Sequence, residues 1–332
     1  MTYDLITVGR VNMDLYSQEI GADFADIPGF DTAIGGSPSN VAVGTSRLGL
    51  RTIAFTAVGE DTVGDFVMRY LRDDGVITDF IQRKPGKLTS LAMLGAQPPD
   101  HFPLTFYRDD PADIHLTVDD AATLPVADTR AVLLSGNAFS RGTCADAARV
   151  VGEAAVKAGL TVFMDLDLRP TDWSHPQAFG LTLRAVLPYV DVLIGTEEEF
   201  FALLAPEPDR VVGGADLSDT DHSVLEGLVD ELVSGGVVAT IIVKRGARGS
   251  EVITADNREL VPGFPVDVVN TVGAGDSFAS GLIWSRLQGW DWYQSCRFGN
   301  ACGALVVTRH GCAAALPTYE EVIGFADQKG GL

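Results

Sequence analysis

The stretch "AVLLSGNAFSRGTCADAARVVGEAAVKAGLTVFMDLD", residues 131–167, contains two continuous apolar runs separated by an amphipathic segment. The runs 131–136 and 161–167 are typical of strands buried on both faces, and residues 143–158 have helical spacing. Four further runs indicate buried strands: residues 3–9, 52–59, 191–196 and 239–246. This alternation predicts a mostly parallel sheet covered by helices on both faces, with ligands bound beyond the carboxyl ends of the strands.

Other segments complete this architecture. Residues 63–71 and 222–233 each have one apolar face at helical spacing. Residues 12–34 and about 88–110 interrupt the alternation, because they read as strands without intervening helices. We expect them to form a small separate sheet over the site. The Gly- and Asp-rich residues 206–221 are predicted to form an exposed loop.

The charge of the chain limits its partners. Acidic residues outnumber basic ones by 45 to 24 over 332 residues, which gives a formal net charge of −21. Nucleic acids and anionic membranes both need a basic surface, so the sequence predicts neither as a partner. A negatively charged small-molecule substrate would need a local cluster of arginines.

Residues 1–15, "MTYDLITVGRVNMDL", lack the charged start and apolar core of a signal peptide. No apolar run approaches the roughly 20 residues of a membrane span. The cysteines have no CxxC spacing, and we interpret them as buried thiols. The alternative is a zinc site built from Cys296, Cys302, His310 and Cys312, but a six-residue interval puts the first two on different faces of a helix. The sequence therefore predicts a reduced, cytoplasmic protein.

A glycine turn precedes an apolar helix in "NTVGAGDSFASGLIW", residues 270–284. Gly273, Ala274 and Gly275 have little side-chain bulk, so their backbone N–H groups can approach a ligand closely. The free N–H groups and the dipole of a helix N-terminus favour an anion such as a phosphate. Asp276 has two interpretations on spacing alone, a helix cap or a carboxylate of the site.

A second glycine cluster lies in "GGSPSNVAVGTSRLG", residues 35–49. Gly35 and Gly36 precede Asn40 and a helix of small residues. Paired glycines before a polar amide suit a backbone that lies against sugar hydroxyls. A tight turn into a closely packed helix is the alternative.

Together these two segments resemble the two signatures of the ribokinase-like (PfkB) carbohydrate kinase family. "GG", Asn40, "VAVG" and "RLG" match the first signature, and "GAGDSF" matches the second. Further blocks match in the same order: "VGEDTVG" (58–64), "KRGARG" (244–249) and "VTRHGCAAALP" (307–317). The resemblance implies one α/β kinase domain over residues 1–332, a three-layer αβα sandwich with a mostly parallel central sheet and a small β-sheet lid. It also implies transfer of the ATP γ-phosphoryl group to a sugar hydroxyl.

The resemblance assigns roles to individual residues. Asp276 is the implied base for the attacking hydroxyl, with Gly273, Ala274 and Gly275 forming an anion hole for the moving phosphoryl group. The implied sugar-binding residues are Asn12, Asp14, Gly35, Gly36 and Asn40. The implied nucleotide-binding residues are Lys244, Gly246, Gly249 and Asn300. The implied cofactor is Mg²⁺, with Glu198 as the metal residue.

Two positions depart from the family pattern. Asn270 replaces the usual first aspartate of "DTxGAGD", a position that lies beside a monovalent cation in several relatives, so activation by K⁺ stays open. In the family's "NxxE" element, Gly195 replaces the usual asparagine while Glu198 is kept. The resemblance also implies a homodimer formed through the lid.

Two arginines follow predicted strands. Arg108 lies in "FYRDDPADIHL" (106–116), and Arg169 lies in "DLDLRPTDW" (165–173). A surface salt bridge is the default interpretation of either residue. In so acidic a chain, however, arginines at strand ends are candidates for binding a substrate carboxylate or phosphate.

The substrate prediction follows from three short elements. "YR…PAD", "DLDLRP..W" and "IGTEEEF" are most similar to those of 5-dehydro-2-deoxygluconokinases of inositol catabolism, whose substrate is an acidic keto sugar phosphorylated at O6. The alternatives are a 2-keto-3-deoxygluconate kinase, or a fructokinase or ribokinase with a neutral substrate. A function of another class also stays open, that of a catalytically inactive sugar-binding regulator on the same fold.

Overall fold

A central sheet of eight strands runs through the computed structural model, which describes residues 2–95, 103–205 and 217–332. Elements are numbered in chain order. From one edge to the other the strands are Thr52–Phe55 (β4), Leu5–Val8 (β1), Ala131–Ser135 (β9), Thr161–Asp165 (β10), Val192–Thr196 (β11), Thr240–Lys244 (β12), Gly249–Thr254 (β13) and Arg258–Pro262 (β14). The six strands from β4 to β12 are parallel, and β13 and β14 complete the edge as an antiparallel hairpin.

A second, small sheet contains Phe30–Gly35 (β3), Asn12–Ser17 (β2), Ser90–Leu94 (β7) and Leu104–Tyr107 (β8), in that order. We call it the small sheet. It is built from the two segments that interrupt the alternation in the sequence, although residues 96–102 of the second segment lie outside the described residues. Two short strands, Ala57–Gly59 (β5) and Gln82–Lys84 (β6), pair separately.

The helices connect the strands. They are Ser37–Arg47 (α1), Thr62–Asp73 (α2), Val118–Ala121 (α3), Cys144–Lys157 (α4), Pro176–Arg184 (α5), Glu197–Leu204 (α6), Asp219–Ser234 (α7), Ala274–Leu287 (α8), Trp292–Val307 (α9) and Tyr319–Gln328 (α10).

The six parallel strands are buried along nearly their whole length, which explains the continuous apolar runs in the sequence. Leu133 and Phe163 pack with α1, α8 and α9 on one face. Val132 and Met164 point to the other face and pack with α4, α5, α6 and α7. The two hydrophobic cores make a three-layer αβα arrangement, so the predicted fold class is confirmed.

Two local predictions were wrong in detail. The run 52–59 forms two strands in different sheets, β4 and β5, because the chain leaves the central sheet at Thr56. Residues 219–221, predicted as loop, begin α7, because Ser218 and Asp221 form a capping box at its N-terminus. Residues 206–216 of that predicted loop lie outside the described residues.

The cysteines are all buried free thiols. Within residues 2–95, 103–205 and 217–332, three or more His, Cys, Asp or Glu side chains nowhere cluster so as to hold a metal ion. The zinc alternative for Cys296, Cys302, His310 and Cys312 is therefore excluded. None of the helices in the described part of the chain has the length and apolar character needed to cross a bilayer.

Candidate active site

Two neighbouring cavities open where the parallel strands end. The smaller, of about 360 Å³, lies between the small sheet and the carboxyl ends of the central strands. The larger, of about 570 Å³, extends along α8 and α9. Four residues border both cavities: Thr196, Lys244, Thr271 and Gly275. The placement agrees with the prediction that ligands bind beyond the strand ends.

Asp276 lies at the start of α8, beside the border between the cavities. The residue before the helix is Gly273, whose φ of 85° is left-handed, and no side chain caps the helix. The Asp276 carboxylate instead accepts a hydrogen bond of 2.6 Å from Asn40 Nδ2, across 236 residues of sequence. Asp276 therefore does not cap the helix in this structure. Burial raises the pKa of Asp276, and the bond from Asn40 opposes this shift.

The N–H groups in the first turn of α8 lie at this border. They are free because the first residues of a helix have no intrahelical acceptor. Gly273 and Gly275 line the smaller cavity, and Ala274 and Gly275 line the larger one. A Cβ atom at Gly273 would overlap Cys312 Sγ. Glycine at 273 is thus required both by its backbone angle and by its neighbour.

This double requirement gives a stability prediction. Gly289 has nearly the same φ, 84°, but a Cβ there meets nothing within 4 Å, so Gly289→Ala should cost only the backbone penalty of about 1–2 kcal/mol. Gly273→Ala should reduce the free energy of unfolding by more, and adding Cys312→Ala should recover part of the difference. Urea unfolding of the variants measures this, and equal losses at Gly273 and Gly289 would contradict it.

Lys244 provides the positive charge at the border. Its Nζ lies 3.1 and 3.2 Å from the two carboxylate oxygens of Asp165 and 3.8 Å from Glu199 Oε2. Burial raises the pKa of Asp165 to about 7, and Lys244 opposes that shift. A Cβ at Gly275 would lie 3.4 Å from Lys244 Nζ, which places the ammonium next to the helix N-terminus.

The predicted sugar-binding residues gather around the smaller cavity. Asn12, Asp14, Gly36 and Asn40 line it. Asp14 Oδ1 is buried without a hydrogen-bond partner among the residues that the structure describes, and burial raises the pKa of Asp14 to about 7. Gly35 lies behind this carboxylate, because a Cβ at Gly35 would overlap it. Gly36 has a φ of 95°, and a Cβ there would lie 2.6 Å from Arg10 O.

Arg108, predicted to bind an anionic substrate, does not line either cavity. Its Nη1 and Nη2 donate to the two carboxylate oxygens of Asp113 at 2.9 and 3.0 Å. Nη1 also lies within hydrogen-bonding distance of Asn12 Oδ1 and Ser90 Oγ. The buried ion pair therefore holds Asn12 in place rather than facing a ligand.

Glu198, predicted as the metal residue, is exposed on α6 and does not line either cavity. The next residue, Glu199, lines the smaller cavity, and its carboxylate accepts from the N–H groups of Thr196 and Leu168 at 2.8 and 2.9 Å. Three consecutive glutamates conceal which one faces inward. The capping-box spacing from Thr196 to Glu199 is the signal in the sequence that distinguishes Glu199.

The predicted nucleotide residues line the larger cavity: Lys244, Gly246, Gly249 and Asn300. Its wall is formed by apolar side chains that no motif indicated: Phe264, Val266, Val268 and Val307. Asn270 is buried beneath the border, and its Oδ1 accepts from Val272 N at 3.0 Å.

Arg10 lines the smaller cavity together with Arg169, although no motif indicated it. Both guanidinium groups approach the same atom, Asp167 Oδ1, at 3.4 and 3.1 Å. Asp167 is buried with a φ of 39°, a conformation that is uncommon for non-glycine residues. Arg10, Arg169 and Lys244 are the cationic side chains on the lining of the smaller cavity, which also includes the carboxylates of Asp14, Asp165, Asp167, Glu199 and Asp276.

Comparison with known proteins agrees with this architecture. A family model described as pfkB family carbohydrate kinase matches residues 3–319. The 5-dehydro-2-deoxygluconokinase of Geobacillus thermodenitrificans (strain NG80-2) is 31% identical over 324 residues, covering 97% of this chain and 92% of that protein. That of Bacillus anthracis (strain A0248) is 32% identical over 330 residues, covering 98% and 95%.

Solved structures are similar over nearly the full length. The fructokinase of Xylella fastidiosa with bound ATP superimposes with a TM-score of 0.81 at 26% identity, covering 99% of both chains. The PfkB protein of Polaromonas sp. JS666 gives a TM-score of 0.78 at 25% identity, covering 96% of this chain and 99% of that one.

Proposed function

Because the chain belongs to the pfkB family of carbohydrate kinases, we propose that it transfers the γ-phosphoryl group of ATP to a hydroxyl of a keto-deoxy sugar acid. The observation that carries this proposal is the position of Asp276. Its carboxylate lies in the sugar-sized cavity, at the N-terminus of α8 and beside the residues that border both cavities.

The reaction follows from this arrangement. A sugar hydroxyl in the smaller cavity gives its proton to the Asp276 carboxylate, and its oxygen attacks the γ-phosphorus. The bond between that phosphorus and the β,γ-bridging oxygen breaks, and ADP leaves from the larger cavity. The N–H groups at the start of α8 and the ammonium of Lys244 stabilise the charge on the moving phosphoryl group.

ATP is assigned to the larger cavity. Its apolar wall, with Phe264 and Val268, suits a purine, and Lys244 and the start of α8 lie at the end nearer Asp276. The similar fructokinase of Xylella fastidiosa was solved with bound ATP, which supports this assignment.

The carboxylates of Asp165 and Glu199 suit Mg²⁺. This ion usually keeps several waters and uses one or two protein carboxylates together with substrate phosphates. Both side chains surround Lys244 Nζ at the border of the cavities. When bound, the ion would neutralise the phosphates of the nucleotide. Asn270 offers no carboxylate to a monovalent cation, and activation by K⁺ stays open.

The names of the two relatives described above support an acidic sugar. Both relatives are named 5-dehydro-2-deoxygluconokinase and match at 31–32% identity over nearly the whole chain. Arg10 and Arg169 add two positive groups to the smaller cavity. We therefore propose 5-dehydro-2-deoxygluconate, phosphorylated at O6 in inositol catabolism. A homodimer formed through the small sheet stays a prediction.

A coupled assay for ADP release tests the function. It compares 5-dehydro-2-deoxygluconate and 2-keto-3-deoxygluconate with fructose and ribose at equal concentrations. We expect the first compound to give the highest kcat/KM. A preference for fructose or ribose would contradict the acidic substrate but keep the kinase, whereas binding of a sugar without ADP release would indicate the regulator.

The pH dependence of the rate tests the role of Asp276. A base must be ionised to act, so a raised pKa places the acid limb of the kcat profile above the roughly 3.9 of a free aspartate. The bond from Asn40 lowers this pKa, so Asn40→Ala should move the acid limb to higher pH.

A matched control is Asn137→Ala. Asn137 also donates to a carboxylate, that of Asp172 at 2.9 Å, but neither residue lines a cavity. This variant should keep the wild-type acid limb. An unchanged or lowered limb in Asn40→Ala would argue against Asp276 as the base.

A further inference from the structure

Arg10 is held rigidly at the edge of the smaller cavity. It follows β1 and is only 4% exposed. Its carbonyl oxygen accepts a hydrogen bond of 3.0 Å from Ser39 Oγ and packs against the backbone of Gly36. The side chain therefore enters the cavity from a fixed point.

The protein satisfies only part of the hydrogen-bonding capacity of the Arg10 guanidinium. Its ion pair with Asp167, from Nη2 to Oδ1, is long at 3.4 Å, and the group lies over the ring of Phe106 at 5.5 Å. Nε and Nη1 are buried and have no hydrogen-bond partner among residues 2–95, 103–205 and 217–332. Buried cationic donors without acceptors are unfavourable unless a ligand supplies the acceptors.

The two other arginines near the cavity differ from Arg10. Arg169 is 40% exposed at its side chain, pairs with Asp167 at 3.1 Å and donates to Leu168 O. Arg108 is saturated at both terminal nitrogens by Asp113 and does not line the cavity. Among these three, Arg10 alone combines burial, contact with the cavity and two unpartnered nitrogens.

The carboxylate nearest to Arg10 is shared with a second arginine. Arg10 and Arg169 share one oxygen of Asp167, so two guanidinium groups face one carboxylate. Burial lowers the pKa of Arg10, and the carboxylates of Asp167 and Asp172 oppose this shift. A substrate carboxylate would supply acceptors for the two Arg10 nitrogens that Asp167 leaves without a partner.

From this geometry we infer that Arg10 binds the carboxylate of the sugar acid and sets the preference of this kinase for acidic over neutral sugars. The inference rests on the proposed function and specifies which residue recognises the substrate. Asp276 then selects the hydroxyl that reacts, and Arg10 holds the charged group of the same molecule. Arginine suits this role because its planar fork matches a carboxylate.

The test compares Arg10→Gln and Arg10→Lys with wild type. Each is assayed with 5-dehydro-2-deoxygluconate and with the same sugar carrying a primary alcohol in place of the carboxylate. Arg10→Gln should raise KM for the acid by about 10- to 100-fold, the range for one lost charge-assisted contact, and leave KM for the alcohol and for ATP unchanged. Arg10→Lys should lie between, because it keeps the charge but not the fork.

Arg149→Gln is the matched control, since Arg149 also pairs with an aspartate, Asp146, and lies over an aromatic ring, Phe139, but away from both cavities. It should behave as wild type. An equal rise of KM for the acid and the alcohol in Arg10→Gln would mean a structural role and overturn the inference. Should Arg10→Gln not fold, the acid-to-alcohol ratio of Arg10→Lys decides in the same way.

The preference of the wild-type enzyme and that of the Arg10 variants separate the role of Arg10 from the proposed function. A wild-type enzyme that prefers the acid, with an unchanged preference in both Arg10 variants, overturns only the assignment of Arg10. A wild-type enzyme that uses the alcohol better than the acid overturns the acidic substrate and the role of Arg10 together.

Discussion

Asp276→Asn is expected to lower kcat by about 10²–10⁴-fold, the usual contribution of a general base. The amide keeps the shape of the side chain and can still accept the hydrogen bond from Asn40 Nδ2, but it cannot take a proton. KM for sugar and for ATP should change little. Steady-state kinetics with both substrates measures this.

Stability provides an independent readout of the same substitution. Burial raises the pKa of Asp276, so the ionised carboxylate is unfavourable in the folded protein at neutral pH. Removing the charge should leave the melting temperature unchanged or raise it. This is the pattern of a functional group that is held at a cost in stability.

Asp291→Asn is the matched control for this pair of measurements. Asp291 also precedes a helix, α9, and its side chain accepts from Gln294 N as a true cap. Asparagine caps about as well as aspartate, so kcat and stability should both stay near wild type. Near-normal kcat in Asp276→Asn as well would reduce Asp276 to a structural residue.

Lys244→Met should lower kcat by about 10²–10³-fold, the cost of removing one preorganised charge beside the reacting group. Its ammonium lies at the border of the two cavities, between Asp165 and Gly275. The variant should still fold, because Asp165 already has a pKa of about 7 and can protonate when its partner is lost.

Lys84→Met separates catalysis from charge pairing. Lys84 also forms a largely buried ion pair, with Asp120, but lies away from both cavities. We expect both variants to lose thermal stability and only Lys244→Met to lose turnover. Normal kcat in Lys244→Met with a lowered melting temperature would contradict the assignment.

The central sheet was predictable because its strands are buried on both faces. Runs such as 131–136 and 161–167 are continuous and apolar, a pattern that little else produces in a chain of this size. The hairpin of β13 and β14 was missed because it lies at the sheet edge. Its outer strand, β14, has five residues of which only Val261 is buried, so it shows neither a continuous apolar run nor alternation.

Two glycines of the site were predictable because backbone geometry restricts the residue type at their positions. Gly36 and Gly273 have left-handed φ values, so their glycines identify the two turns that face the cavities. Long side chains are less predictable, because a guanidinium can reach several acceptors. Arg108 forms its ion pair with Asp113, five residues later in the chain. Arg10 lies outside the helices and strands, so no pattern in the sequence indicated it.

The residues that border both cavities allow the two substrates to influence each other's binding. Lys244, Thr196, Thr271 and Gly275 belong to both compartments, so a phosphate chain on one side alters the surroundings of a sugar on the other. Any such coupling is reciprocal: the factor by which a nucleotide changes sugar affinity must equal the factor by which the sugar changes nucleotide affinity. Titration calorimetry of each ligand with and without an unreactive form of the other measures both factors, and substitutions at these four positions should alter them together.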